Sequence, residues 1–282
     1  MRIDIITVFP EMVEAALNYS IVKRAIDQRL VDIRVINLRD YTEDRHRTTD
    51  DTPYGGGGGM IMKVEPIARA LEAISSDGDA SPRVVLTDPR GMLFTQTIAR
   101  EWAEEKHLVI LCGHYEGVDE RVRRHLVTDE ISIGDFILTG GELPALVIAD
   151  AITRLQKGAL GDEEAPSKDT FADDLLEYPH YTRPADFSGH RVPEILLCGH
   201  HARIQQWRRW HQLHETRERR PDLFARLTLS KQDITLLNTD EPQAPPTKRP
   251  IRISGSRPDG EPNRYLKEEQ EDTDGTGTGD DS

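Results

Sequence analysis

Cysteine is scarce in this chain of 282 residues, and long apolar runs are missing from it altogether. Two cysteines, Cys112 and Cys198, each inside an apolar stretch, are too few for a disulfide framework or a cysteine-built zinc site. They read as buried free thiols in a reducing cytoplasm. No apolar run approaches the roughly 20 residues of a membrane helix, and the mean hydropathy of -0.58 fits a well-solvated globular chain with no membrane partner. The opening Met1 to Pro10 is too short, too acidic and too alternating for a secretory leader; it reads as a first strand. The G-x-G-x-x-G dinucleotide pattern is absent, as is any internal repeat. Excess basic charge is also missing: the formal net charge is -14, which taken alone argues against a polyanionic partner.

That charge is unevenly placed. Residues 268–282 hold seven acids and no base, so half of the net -14 lies in fifteen residues. From Pro242 the chain is rich in proline and then in glycine and acids, with too little apolar surface to offset ordering, so 242–282 is expected to be a disordered acidic tail. Pro179 to Lys231 has the opposite balance, ten Arg/Lys against five Asp/Glu, with six of the ten histidines. A basic module is therefore embedded in an acidic chain.

Short β-branched runs at Arg2–Val8, Val31–Asn37, Arg83–Thr87 and Leu108–Cys112 read as strands, mostly apolar on both faces. Between them Val13, Leu17, Ile21 and Ala25 recur at helical spacing, as do Ile67 and Leu71, and Thr95–Lys106 reads as a helix. Leu143–Leu155 reads as a helix buried on most sides. The alternation predicts an α/β fold with a mainly parallel sheet, followed by a small helical C-terminal domain over His200–Thr216 and Pro221–Arg226, with Trp207, Trp210 and His214 on one face. The expected organisation is an α/β domain over 1–160, a flexible polar linker over 161–178, a basic helical domain over 179–241 and the tail.

Three glycine-bearing loops follow strands: Thr87-Asp-Pro-Arg-Gly91, Gly113 to Gly117, and Ile131 to Gly141, where Pro144 helps start the next helix. Loops at the C-terminal ends of parallel strands are where open α/β sheets bind ligands, and glycine admits close backbone approach. Each could equally be an ordinary turn; the set says a pocket made of loops without naming its ligand. Pro53 to Gly59 holds five consecutive glycines but lacks the Lys-Ser/Thr pair of a phosphate loop, so a mobile surface loop able to close over a partner stands beside that reading. Asp169 is either the N-cap of a helix over Phe171–Leu176 or a catalytic carboxylate. Arg203, Arg208, Arg209, Arg217, Arg219 and Arg220 beside Trp207 and Trp210 suit phosphate contacts and base stacking, or else a charged helix around a tryptophan core.

Together these segments resemble the bacterial tRNA (guanine-N1)-methyltransferase family, a branch of the knotted SPOUT methyltransferases. The resemblance runs through Ile5 to Met12, Asp44-Arg-His-Arg-Thr48, Pro53-Tyr-Gly-Gly-Gly57 and Tyr115-Glu-Gly-Val-Asp-Glu-Arg121. It continues through Ser132-Ile-Gly-Asp135, Gly140-Gly-Glu-Leu-Pro144 and Pro179-His-Tyr-Thr-Arg-Pro184, covering about 1–240. The chain departs from the family's pattern at His114, where Arg is usual, at Gly58, where many members carry Pro, and at Thr87 to Gly91, which is looser than Ser-Pro-Gln-Gly.

The resemblance implies S-adenosyl-L-methionine held in a deep trefoil knot, a rare exception to unthreaded topology. The implied cofactor residues are Leu86, Thr87, Asp88, Pro89 and Gly91; Gly113, Tyr115, Glu116 and Gly117; and Ile131, Ser132, Ile133, Gly134, Phe136, Leu138, Gly140, Gly141 and Pro144. The implied substrate is the guanosine 3′ of the anticodon, position 37 of tRNA, and the implied assembly is a homodimer with shared active sites. Neutral guanine keeps a proton on N1, so its methylation needs a base, for which Asp169 is the candidate. Arg154 would stabilise charge developing on O6, and Glu116 would orient the methionine or guanine portion. Some members need magnesium, for which the sequence designates no ligands. A phosphate-transferring enzyme built on the glycine run and a non-catalytic RNA-binding protein built on the basic module are the competing readings.

Overall fold

The computed structural model describes residues 1–77, 81–162 and 164–245. These fall into two compact units that divide between Asp173 and Asp174. The first is built on a five-stranded sheet, all parallel, in the order β2-β1-β6-β5-β7. Its strands are β1 (Arg2–Thr7), β2 (Asp32–Asn37), β5 (Arg83–Leu93), β6 (His107–Cys112) and β7 (Asp129–Ser132). A two-residue antiparallel pair, β3 (Asp50–Asp51) with β4 (Ile61–Met62), stands apart from the sheet.

Alternate residues of each strand feed two separate cores, because successive strand side chains point to opposite faces. On one face Ile3, Ile5, Val85, Leu108, Ile110 and Ile131 pack with α1 (Pro10–Leu17), α2 (Ser20–Asp27), α4 (Gln96–Ala103) and α6 (Glu142–Thr153). On the other, Ile6, Val84, Leu86, Val109 and Leu111 pack with α3 (Val64–Ser76) and Val122 of α5 (Glu120–His125). Central strand β6 is buried at every position. Each apolar side chain sealed there contributes about 1.5–3 kcal/mol.

The structure departs from the sequence reading in several places. The Val13 to Ala25 pattern is broken into α1 and α2 by Asn18 and Tyr19, and Val22 rather than Ile21 is buried. Strand β5 runs on past Thr87 through a register shift, so that Met92 and Leu93 pair with Ile131 and Ser132 of β7, a strand the apolar pattern did not reveal. Helix α6 is buried on one side only: Leu143 and Val147 are each 47% exposed. The segment expected as a polar linker contains the short helix α7 (Ala165–Lys168), and no helix forms over Phe171–Leu176, so Asp169 ends α7 instead of capping a following helix. Cys112 is buried, whereas Cys198 is only partly so.

The second unit contains a hairpin of β8 (Asp186–Phe187) and β9 (His190–Arg191), and helices α8 (Glu194–Leu197), α9 (His201–Arg219), α10 (Pro221–Phe224) and α11 (Lys231–Leu237). Leu175, Leu213 and Leu236 form its core with Trp210, Phe224 and Leu237 packed against them. Ser230 caps α11 reciprocally with Asp233, whose carboxylate also accepts from the Arg209 guanidinium at 2.7 and 3.1 Å. That ion pair holds the Asp233 carboxyl down at about 2. Of the tail, 246–282, including the acidic 268–282, lies outside the described residues.

Candidate active site

A cavity of about 370 Å³ opens at the register shift of β5 and the C-terminal ends of β6 and β7, within the range of about 300–1,000 Å³ common to small-molecule sites. The three glycine loops are tied together around it. Gly141 N donates to Gly113 O at 2.7 Å, His114 pairs with Gly140 as an antiparallel bridge, and Gly113 N donates to Thr87 Oγ1 at 3.3 Å. Glycine is needed at the tightest crossings: a Cβ on Gly141 would overlap Thr87 Oγ1, and one on Gly140 would overlap the His114 and Glu142 side chains. Tyr115 takes a left-handed conformation (φ 56°), strained for a non-glycine residue, in the turn closed by Gly117 N donating to His114 O at 3.1 Å.

Nearly all the residues named from sequence meet here. Thr87, Asp88, Pro89, Gly113, Tyr115, Glu116, Gly117, Ile131, Ser132, Ile133, Gly134, Phe136, Leu138, Gly140, Gly141 and Pro144 all line the cavity. Two do not. Leu86 is fully buried in the core beneath α3, and Gly91 lies so close to the backbone of Glu130 and Ile131 that it serves the β5–β7 pairing. The sequence reading missed Arg90, Ile137 and Thr139 on the same wall, whose only signal was position between residues already singled out. It marked His114, also on that wall, only as a departure from the family's pattern.

The charges in the cavity are asymmetric. Arg90 grips Asp88 through Nε and Nη2 at 2.9 and 2.8 Å, which holds the Asp88 carboxyl below its usual range and raises the guanidinium. These two cancel. Glu116 makes no ion pair among the described residues, which leaves one carboxylate facing the space. Its backbone N–H donates to Met60 O at 3.0 Å, and Met62 N donates to Gly117 O at 2.9 Å, so the strand end that follows the glycine run is stitched to the cavity loop. Gly55, Gly56, Gly57 and Gly59 all have positive φ, and Tyr54 before them is fully exposed. The run leads into β4, not into a helix N-terminus, which removes the geometry of a phosphate loop.

Asp169 and Arg154 are brought together, but not on the cavity wall. Arg154, at the end of α6, donates from Nη2 to Asp169 Oδ2 at 2.6 Å, and each side chain is about one-third exposed. Below the cavity floor, burial and the Glu142 charge push the Cys112 thiol well above its ordinary range, so it is inert packing.

In the second unit part of the basic charge is paired internally. Arg209 pairs with Asp233, Arg219 with Glu215 and Arg220 with Asp222. Arg203, Arg208 and Arg217 make no ion pair with a carboxylate among the described residues; Arg208 lies over the Tyr178 ring at 4.8 Å. Trp207 is 1% exposed, so it belongs to the core and is unavailable for base stacking. Its Nε1 donates to Glu241 at 2.6 Å, and Trp210 donates to Thr239 O at 3.0 Å, strapping the segment after α11 to α9.

Comparison with known proteins agrees with this picture. Residues 1–226 match the family model described as tRNA (Guanine-1)-methyltransferase TrmD. A tRNA (guanine-N(1)-)-methyltransferase of Brevibacillus brevis is 55% identical over 237 residues, covering 84% of this chain and 97% of the relative. Those of Moorella thermoacetica and Bacillus subtilis are 54% and 52% identical, covering 84% and 82% of this chain and 95% and 96% of theirs.

Proposed function

The chain belongs to the tRNA (guanine-1)-methyltransferase family, and from that membership we propose how its residues divide the work of methylating guanine N1 in tRNA. It is a tRNA (guanine-N1)-methyltransferase with the SPOUT fold that the family implies, and such an enzyme uses S-adenosyl-L-methionine. When bound, the cofactor supplies an electrophilic methyl group on a sulfonium. The single observation that carries the site assignment is the convergence of three loops, closed by glycine-only crossings, on one cavity with an unneutralised carboxylate. That fits a ligand with an adenine, a ribose and a cationic centre: backbone and apolar side chains for the base, Glu116 for positive charge.

Asp169 accepts the N1 proton, and Arg154 stabilises the negative charge that develops on O6. Their mutual ion pair must open for Asp169 Oδ2 to take a proton, and an incoming guanine that offers O6 to Arg154 and N1–H to Asp169 replaces both partners at once. The pair lies off the cavity wall, which supports a homodimer with shared sites; so do the exposed apolar side chains Phe9, Met12, Leu143 and Val147, which a second copy would cover. The basic unit from 179 to 241 holds the tRNA, with Arg203, Arg208 and Arg217 among its cations, and the methylated guanosine is the one 3′ of the anticodon. The compartment of the substrate and the free thiols support a cytoplasmic location; no helix among the described residues is long and apolar enough to cross a membrane. A magnesium ion would find no group of three or more His, Cys, Asp or Glu placed to hold it among the described residues, and the initial methylation rate with and without EDTA tests its requirement.

The deciding experiment is mass spectrometry of nucleosides from tRNA incubated with protein and S-adenosyl-L-methionine. N1-methylguanosine at position 37 is expected. Binding of tRNA without methylation would instead favour a non-catalytic RNA-binding protein.

A further inference from the structure

A histidine on the cavity wall is left facing a buried carboxylate with no hydrogen bond between them. His114 Nδ1 is buried, without a hydrogen-bond partner, 3.7 Å from Glu142 Oε2. Glu142 is itself 2% exposed. Its other oxygen is spoken for: Oε1 accepts from Thr7 Oγ1 at 2.7 Å, and that hydroxyl accepts from Phe9 N at 2.9 Å, so the carboxylate is fixed in orientation. The imidazole is boxed by edge contacts to Phe9 and Tyr115, with centroids at 5.0 and 4.9 Å. Its backbone is pinned by the bridge to Gly140 and by its N–H donating to Met62 Sδ at 3.2 Å. Gly140 is what lets the two side chains approach, since a Cβ there would overlap both.

A carboxylate opposite one ring nitrogen makes that nitrogen the N–H and the other the lone pair. We propose that His114 is a positioning residue for the cofactor: Glu142 fixes the Nδ1–H form, and Nε2 offers the cavity an acceptor for an N–H or O–H donor of S-adenosyl-L-methionine. This rests on the cofactor reading above. Closing the 3.7 Å gap to hydrogen-bond distance takes less than 1 Å of movement, which ligand contact with the ring supplies. The donor is either the α-ammonium or a nucleoside N–H or O–H.

The test is nitrogen-15 NMR of the full-length protein with labelled histidine, H114Q assigning the resonance, during titration with S-adenosyl-L-methionine. The bound wild type is expected to show Nδ1 protonated and Nε2 as acceptor, and E142Q to lose that preference. In calorimetry H114A is expected to weaken the cofactor at least tenfold. 5′-Methylthioadenosine, which lacks the amino-acid portion, runs in parallel: an equal loss places the donor on the nucleoside, and a loss confined to the cofactor places it on the α-ammonium. A wild type that binds the cofactor with Nε2 protonated, or with both nitrogens protonated, overturns the proposal, as does H114A with unchanged affinity for both ligands. A wild type that binds neither ligand overturns the cofactor reading itself, and His114's role with it. The wild-type spectrum carries the test even where a variant fails to fold.

Discussion

The two ends of the central sheet each place a histidine against a carboxylate, and they treat the pair in opposite ways. At the N-terminal end, His107 of β6 meets Asp4 of β1 at 2.7 Å, and Arg2 reaches the same Asp4 oxygen at 2.7 Å. At the C-terminal end, His114 stops 3.7 Å short of Glu142. Both carboxylates are buried, so burial does not distinguish them. The closed pair links neighbouring strands close to where Arg2 is in register with His107 and so resists a slip between β1 and β6. The open pair sits where the loops need a ligand to complete them. Asp4 Oδ1 and Arg2 Nε are also left without hydrogen-bond partners at the framework end, so the ends differ in the histidine–carboxylate contact itself, closed at one and open at the other.

The largest test of that division concerns a different carboxylate contact, that of Arg154 with Asp169. D169N should keep the fold and lower kcat by about 10²–10⁴-fold, read as N1-methylguanosine formed per unit time; near-normal turnover in a folded protein would remove Asp169 from the chemistry. Next, D4A strands His107 at the framework end and leaves Arg2 with Asp77 alone. It should cost about 3–5 kcal/mol in chemical denaturation while leaving cofactor affinity of the folded protein unchanged. A comparable drop in affinity would mean that the two ends are coupled. G141A acts at the site end, where its Cβ meets Thr87 Oγ1 and Gly113 N. A stability loss of about 1–3 kcal/mol from overpacking should come with loss of cofactor binding by calorimetry. The smallest effect belongs to the C-terminal unit. Because Arg209 holds the folded Asp233 carboxyl at about 2, below its ordinary value near 3.8, the stabilisation is present above about pH 4. It is lost as pH falls towards 2 and amounts to about 1–2 kcal/mol. Acid titration of thermal stability should therefore flatten in D233N, and an unchanged slope would assign the loss to other carboxylates.

What was legible in the sequence follows from how each feature is encoded. Strands β1, β5 and β6 announced themselves as β-branched runs, and the glycine loops marked the cavity because close backbone crossings leave room for nothing larger. Strand β7 was hidden because its four residues begin with Asp129 and Glu130, whose charges serve Arg83 and Arg123 and not a core. The extension of β5 was hidden because pairing through Met92 and Leu93 follows a register shift that local composition does not signal. Asp169 and Arg154 were named separately; that they bind each other is a tertiary fact with no trace in their spacing. The basic module's charge was visible, but how much of it Asp233, Glu215 and Asp222 cancel was not.

The strap over α9 gives the molecule a built-in optical readout. Of its three tryptophans, Trp207 and Trp210 both donate their indole N–H groups to residues 239–241, while Trp102 lies buried in the first unit with Arg83 over its ring at 5.3 Å. Peeling the strap away hydrates two indoles and leaves the third dry. A red shift in emission that persists in W102F but disappears in the W207F/W210F double variant therefore reports release of the C-terminal segment alone, without any added label.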